Sequence, residues 1–306
     1  MRLGAMGDII HTLPAAATLR RSFPRAHLTW LIEPRWRPLL DGSGVVDEIA
    51  EFDRTGGLAG MWRSARSLRA PGFDLGIDFQ GLIKSAAAMR LAGPVKRWGR
   101  RETRESAAKF FYTDTAAIQA NLHIVEQHLE LVRAAGARQR EVAFPLPAGM
   151  PEGDLPGGQF VLASPLAGWT SKQWPIERYT ELAALLDREL GVPLVLNVPP
   201  GVPIAGAAHV SGIAGLIDAT RRAAAVVGVD SGPLHLAAAL AKPGVAIFGP
   251  TDPGRNGPYG GSIVTLRAAD AETSYRREST QSAAMLAISA TDVFQKLRVQ
   301  LALTKS

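Results

Sequence analysis

Two doubly wound α/β domains with mostly parallel sheets follow from three observations on this 306-residue chain. Short apolar runs alternate with helical stretches along the whole length, a pattern that lays helices on both faces of a parallel sheet. The length exceeds what one core ordinarily serves and points to about two domains. Near the middle, the Pro/Gly-rich stretch Phe144–Gly158 breaks the alternation and has the composition of a boundary.

The elements follow in order. Met1–Gly7 reads as a loop where a doubly wound domain ordinarily opens with a strand, and a helical pattern over Ile9–Ser22 follows with Asp8 at its start. Strands are predicted at His27–Ile32, Glu48–Phe52 and Asp74–Phe79, with helices at Leu58–Arg69, Leu82–Leu91 and Leu122–Ala135. Beyond the boundary, strands are predicted at Phe160–Ala163, Pro193–Val198, Ala225–Val229 and Gly244–Phe248. Helices lie between them at Ile176–Glu189, Ile213–Arg222 and Leu234–Leu240, and Ala290–Leu303 reads as one amphipathic helix. The expected organisation is a first domain over 1–150, a second over 151–289, and a final helix over 290–306.

Composition narrows the chemistry. The chain has no cysteine, which excludes disulfides, thiolate zinc sites and cysteine nucleophiles and fits a reducing compartment. No apolar run approaches the roughly 18 residues of a membrane span, and no signal-peptide core opens the chain; a cytoplasmic location is expected. The net charge of +6 lies wholly in the first half, where residues 1–150 hold 21 Lys/Arg against 15 Asp/Glu, while the rest holds 13 of each. Much of the excess sits in Lys84, Arg90, Lys96, Arg97, Arg100, Arg101 and Arg104, with Glu102 alone against them. Such asymmetry points to an anionic partner for the first half, the alternative being a solvated Arg-rich surface.

Ligands of open α/β sheets bind at the carboxyl ends of strands, so the loops leaving the strands are where chemistry is sought. Val226–His235 is an apolar strand running into Asp230-Ser231-Gly232-Pro233 and a helix that holds His235. Free N–H groups at a helix start suit phosphate, Gly232 permits close approach, and Asp230 could accept sugar hydroxyls or cap the helix. A second loop, Gly249–Gly260, leaves the next strand, and a third, Pro165–Pro175, carries Lys172, whose charge could neutralise a departing diphosphate. In the first half Asp8 stands at a helix start, as a cap or as a general base toward a hydroxyl. His11 and His235 are lone imidazoles and read as packing or hydrogen-bonding residues. Zincin, P-loop and dinucleotide fingerprints are absent, as is a D-x-D pair, and nothing in the chain requires a metal.

Five segments in order, Arg2–Ala15 (RLGAMGDIIHTLPA), Asp78–Ala86 (DFQGLIKSA), Ser171–Pro175 (SKQWP), Val229–Leu240 (VDSGPLHLAAAL) and Phe248–Gly260 (FGPTDPGRNGPYG), resemble glycosyltransferase family 9, the heptosyltransferases of lipopolysaccharide core assembly. Asp78–Ala86 with Arg104-Glu105 and Phe111-Tyr112 most resembles the members that add the first heptose. The resemblance implies a GT-B fold: two Rossmann-like domains facing a central cleft, acceptor on the first, donor on the second, and a last helix packing back on the first domain. It implies ADP-heptose as donor, the inner Kdo of Kdo-lipid A as acceptor, inversion in one displacement, and no cofactor. It makes Asp8 the base and Lys172 the partner of the diphosphate. Ala167, Gly168, Ser171, Asp230, Ser231, Gly232 and His235 would line the diphosphate and heptose, and Ser211, Gly212 and Ile213 the adenine. Lys84, Arg97, Arg100, Arg101 and Arg104 would meet the acidic acceptor, and peripheral association with the cytoplasmic face of the inner membrane is implied; no nucleic acid is expected. The chain departs from the family in lacking an opening strand before Arg2, in having Pro199–Pro203 with no carboxylate after the strand ending at Val198, and in carrying Thr273–Arg277 where relatives hold cysteines. Rival readings are a family member with another nucleotide sugar or acceptor, a nucleotide-sugar epimerase of the same shape, and a non-catalytic nucleotide-sugar binding protein.

Overall fold

A computed structural model describes residues 1–69, 72–202 and 208–303. Pro203 and residues 304–306, which belong to the segments read above, lie outside the described residues. The chain divides into two units at Pro147/Ala148, inside the Pro/Gly-rich stretch.

The first unit runs α1 Met6–Ile10, α2 Leu13–Ser22, β1 Thr29–Ile32, β2 Glu48–Glu51, α3 Gly57–Ser67, β3 Leu75–Ile77, α4 Ile83–Ala92, β4 Lys96–Arg100, β5 Asp114–Ala116 and α5 Ile124–Ala134. A turn at His11 and Thr12 splits the expected first helix in two, with Pro14 near the start of the second part, where a missing N–H costs nothing. β1 pairs with β2, β3 with β4, and β4 with β5, all parallel. Between these ribbons lie residues 1–3, and they behave as a strand. The Met1 amine donates to Ile77 O and Phe79 N–H to Met1 O on one side, and Glu33 N–H donates to Leu3 O on the other. The opening segment read as a loop therefore stands in the first strand's place, giving the order β2, β1, residues 1–3, β3, β4, β5. Beside Met1, a cavity of about 700 Å³ separates the amino ends of β1 and β3, lined among others by Leu19, Phe23, Trp30, Phe73 and Ile77.

β4 and β5 are strands that hydrophobic patterning does not reveal. β4 reads KRWGR with only Gly99 buried, and Tyr112 lies where any side chain at 99 would stand. Tyr112 hydrogen-bonds Asp78 at 2.7 Å, which also accepts from Gln80 N–H and Ser85 Oγ, both at 2.8 Å. Asp78 is buried, and three donors are what make a buried carboxylate tolerable. They shape the loop that leaves β3.

The second unit runs β6 Val161–Ser164, α6 Ile176–Leu190, β7 Leu194–Val198, β8 Ala208–Val210, α7 Ile213–Arg222, β9 Ala225–Val229, α8 Gly232–Ala239, β10 Gly244–Phe248, α9 Pro253–Asn256, β11 Ile263–Arg267, α10 Ala283–Leu286 and α11 Ala290–Leu303. Its sheet is parallel in the order β11-β10-β9-β6-β7-β8. Numbered from β6, that is the doubly wound order of dinucleotide-binding sheets, with its topological switch between β6 and β9. β6, β7, β9 and β10 are buried throughout, as strands covered on both faces must be. α11 adds Val293, Phe294, Leu297 and Leu301 to the core of this same unit. Its buried face is used there, against α6, β9 and β10.

Candidate functional site

At the switch point of the second unit, the loops after β6 and β9 meet. The β6 loop makes a single 3-10 turn over Thr170–Lys172 that buries Ser171. Lys172 Nζ then reaches Asp230 Oδ2 at 2.6 Å, with only 15% and 11% of the two side chains exposed. The ammonium also lies 4.2 Å from the centre of the Trp169 ring, a cation–π contact. Thr251 donates to the same Asp230 oxygen at 2.8 Å from the loop after β10, and His235 Nε2 stands 3.6 Å from Oδ1. Burial pushes the Asp230 carboxyl up; His235 and Lys172 outweigh it and hold it well below the ordinary aspartate value. Asp230 is thus ionised, and its role differs from a bare helix cap: it draws Lys172, Thr251 and His235 together ahead of α8.

The start of α8 is left open. Ser231 occupies the N-cap in an extended conformation, but its hydroxyl makes no capping bond and is buried without a partner, as is the Ser171 hydroxyl. Gly232 and Pro233 begin the helix. Unsatisfied N–H groups, two orphaned hydroxyls and a paired ammonium form a cradle suited to a phosphate group. Ala167 packs on the core while its carbonyl holds the Gln173 side chain; Gly168 is exposed, with open space where a side chain would project.

The Ser211–Ile213 corner follows β8 at the start of α7. Ser211 is buried and accepts from Asn197 Nδ2 at 2.9 Å, and Gly212 N–H donates to Glu152 Oε2 at 2.6 Å. His209 Nε2 meets Glu152 O at 2.5 Å. The Ser211 hydroxyl and the Gly212 N–H are therefore engaged internally. No carboxylate follows β7 in the sequence, yet the fold brings one, Glu152, to this corner from the segment before β6.

In the first unit, the equivalent switch lies between residues 1–3 and β3. The loop after β3 places Gln80 Oε1 on Leu3 N–H at 2.9 Å. Asp8 is the third residue of α1, accepts Ala5 N–H at 3.3 Å and pairs with the Arg2 guanidinium. Burial raises the Asp8 carboxyl, but Arg2 and the Ala5 N–H prevail, leaving it below the ordinary aspartate value. Behind it, His128 is buried and hydrogen-bonded through Nδ1 to Thr12 Oγ1 at 3.2 Å and His11 O at 3.1 Å. Burial and the Arg2 charge lower its pKa to about 3, so it is uncharged at neutral pH. His11 is buried and stacks edge-on against His123, a packing role as expected.

The basic residues fall into two groups. Arg97 donates to Phe111 O at 2.9 Å and Pro94 O at 3.0 Å, and Arg100 donates to Gln127 Oε1. These two fasten β4 to its surroundings. Lys84 near the start of α4, and Arg101 and Arg104 after β4, make no side-chain hydrogen bond or ion pair among the described residues and stand at the same sheet edge as Asp8. Sequence reasoning missed Arg2, Thr251, Trp169 and Glu152. Thr251 and Trp169 stand in loops already singled out. Among the described residues no cluster of three or more His, Asp or Glu is placed to hold a metal, and no helix is long and apolar enough to cross a membrane.

Comparison with known proteins follows this geometry. Residues 61–286 match the family described as glycosyltransferase family 9 (heptosyltransferase). Lipopolysaccharide heptosyltransferase 1 of Pseudomonas aeruginosa is 30% identical over 303 residues, covering 87% of this chain and 82% of that protein. The protein of the same name from Escherichia coli K12 is 29% identical, covering 88% and 92%. The solved structure of E. coli heptosyltransferase WaaC with ADP superposes with a TM-score of 0.78 at 26% identity, covering 98% of each chain. The fold class is GT-B. The chain belongs to glycosyltransferase family 9.

Proposed function

We propose that the protein transfers L-glycero-D-manno-heptose from ADP-heptose to the inner Kdo of Kdo-lipid A, with inversion at the anomeric carbon. The observation that carries the reading is the Lys172–Asp230 pair ahead of the open start of α8, a cradle for a diphosphate. The relatives named lipopolysaccharide heptosyltransferase 1 and the ADP-bound WaaC structure support the choice of donor. The reading gives the donor to the second unit and the acceptor to the first. The acceptor oxygen attacks the anomeric carbon, its proton passes to Asp8, and the bond to the β-phosphate oxygen breaks to release ADP. Charge developing on that oxygen is met by Lys172 and the N–H groups of Gly232 and its neighbours. Lys84, Arg101 and Arg104 would meet the acidic groups of the acceptor, which lies on the cytoplasmic face of the inner membrane.

The test is ADP release in the presence of ADP-heptose and Kdo-lipid A, with the lipid omitted as control. Acceptor-dependent release is the expected result. Release without acceptor, or none from folded protein that binds ADP, would overturn the proposal and favour an epimerase or a binding protein. Asp8→Ala is expected to lower turnover by at least about 10²-fold with ADP affinity retained; turnover close to wild type would remove Asp8 from the role of base.

A further inference from the structure

A carboxylate that takes a proton from a hydroxyl needs an ionised state and an oxygen free to receive it. Asp8 has both because of where its neighbours bind. The Arg2 guanidinium and the Ala5 N–H both engage Oδ2, while Oδ1 carries no hydrogen bond among the described residues, and the side chain is 40% exposed.

Arg2 itself is 7% exposed and held from three directions. Its Nη1 donates to Phe79 O at 2.6 Å at the exit of β3, its own carbonyl accepts Trp30 Nε1–H at 2.9 Å, and the next residue is fastened to Gln80. A planar guanidinium that cannot lose its proton is a rigid spacer as well as a charge. One arm is set by the Phe79 carbonyl, so the other fixes where Oδ2 can lie. The remaining ionisable groups around the carboxylate are His128 of α5, buried and uncharged, and beyond it Arg100 of β4. No other cation among the described residues pairs with Asp8.

We propose that Arg2 is a positioning residue for the transfer reaction, clamping Oδ2 of Asp8 so that the carboxylate stays ionised and Oδ1 faces the hydroxyl to be deprotonated. The proposal rests on the reading of Asp8 as the base. It assigns Arg2 no contact with either substrate.

The experiment is the pH dependence of kcat for wild type, Arg2→Met and Arg2→Lys between pH 3 and 8, with ADP affinity measured by calorimetry. Arg2→Met is expected to lower kcat by about 10²-fold through misplacement and to move the acid limb up by about 1 pH unit or more, as an aspartate loses its neighbouring cation. Arg2→Lys keeps the charge on Oδ2 but loses the second anchor on Phe79, so its acid limb should match wild type while kcat drops about tenfold. ADP affinity should stay within about twofold in both, because every group assigned to ADP belongs to the second unit. An Arg2→Met profile that superimposes on wild type overturns the proposal, as does a loss confined to KM. Should Arg2→Met fail to bind ADP, Arg2→Lys decides: an unchanged limb with lowered kcat supports the clamp, and a shifted limb or unchanged kcat refutes it. Failure here is separable from failure of the base assignment. If Asp8→Ala is inactive and Arg2→Met keeps the wild-type profile, Arg2 alone is wrong; if Asp8→Ala remains active, the base assignment falls first.

Discussion

Replacing Lys172 with methionine tests whether the second unit is organised around its buried ion pair. The substitution keeps the stem over Trp169 and removes the ammonium 2.6 Å from Asp230 Oδ2. Taking one partner from a buried pair costs 3–5 kcal/mol because the other charge is left in a poor medium. Here Asp230 keeps the Thr251 hydroxyl at 2.8 Å and His235 at 3.6 Å, which places the cost at the low end, about 3 kcal/mol. For a unit of this size that is a fall in Tm of roughly 6–12 °C. Asp230→Asn strands the ammonium instead and should cost a similar amount. The double variant has neither stranded charge and should recover about 2 kcal/mol of the summed losses.

The acid behaviour of Asp230 gives a second reading of the same variant. Its folded pKa lies well below the unfolded value, so the pair contributes stability above the unfolded pKa, and that stability is lost as pH falls through the folded one. Without Lys172 the folded pKa rises, and Lys172→Met should lose stability at higher pH than wild type. Turnover should fall by about 10²–10³-fold, the usual cost of removing a group that stabilises developing charge. Calorimetric unfolding of the four proteins measures the coupling. Single losses that add to the double within about 0.5 kcal/mol would show that the pair does not exist in solution, and the phosphate-cradle argument would go with it.

Two further outcomes follow from the first unit. His128 has a folded pKa of about 3 against an ordinary value of 6.5, so the unfolded chain takes up a proton that the folded one refuses. Its contribution is complete above pH 6.5 and is lost as pH falls, by about 2 kcal/mol at pH 5; urea titrations at pH 7.5 and 5 should show this loss in wild type and lack it in His128→Gln. Arg101→Gln with Arg104→Gln should raise KM for the lipid acceptor and weaken its salt dependence, leaving ADP affinity and Tm unchanged, because neither side chain has a hydrogen-bond or ion-pair partner among the described residues. Arg97→Gln should do the reverse, costing about 1–3 kcal/mol of stability from its two backbone carbonyls with little change in acceptor KM. Equal effects of the two sets on KM would put the basic stretch back together as one surface.

Legibility differed between the units for a physical reason. In the second unit the central strands are covered on both faces, so they read as unbroken apolar runs; Ala225–Val229 and Gly244–Phe248 were found with the bounds they have. In the first unit β4 is a strand of alternating Lys, Arg, Trp and Gly with one buried residue, and β5 has three residues. No apolar period exists there to be read. The same strand carries part of the basic run. Arg97 and Arg100 tie β4 down, and charge counting cannot separate such arginines from Arg101 and Arg104, which stand one to seven residues away and make no side-chain hydrogen bond or ion pair among the described residues.

Contacts between residues distant in sequence were legible only through topology. In a doubly wound sheet the first and fourth strands are neighbours at the switch point, whatever separates them along the chain. That rule brings the loop after β6 to the loop after β9, and so Lys172 to Asp230 across 58 residues. Applied to the first unit it brings the loop after residues 1–3 to the loop after β3, and so Arg2, Asp8, Phe79 and Gln80 together. Met1–Gly7, with two glycines in seven residues, has no strand signal that would invoke it. Asp8 reads from the sequence as a helix start, and a helix start says nothing of what holds its carboxylate. Arg2 is six residues away, a separation with no meaning on a helix or a strand, and becomes a partner only once residues 1–3 are counted as the first strand. One topological argument therefore serves both units: a cation–carboxylate pair stands at each switch point, Lys172 with Asp230 in the second unit and Arg2 with Asp8 in the first.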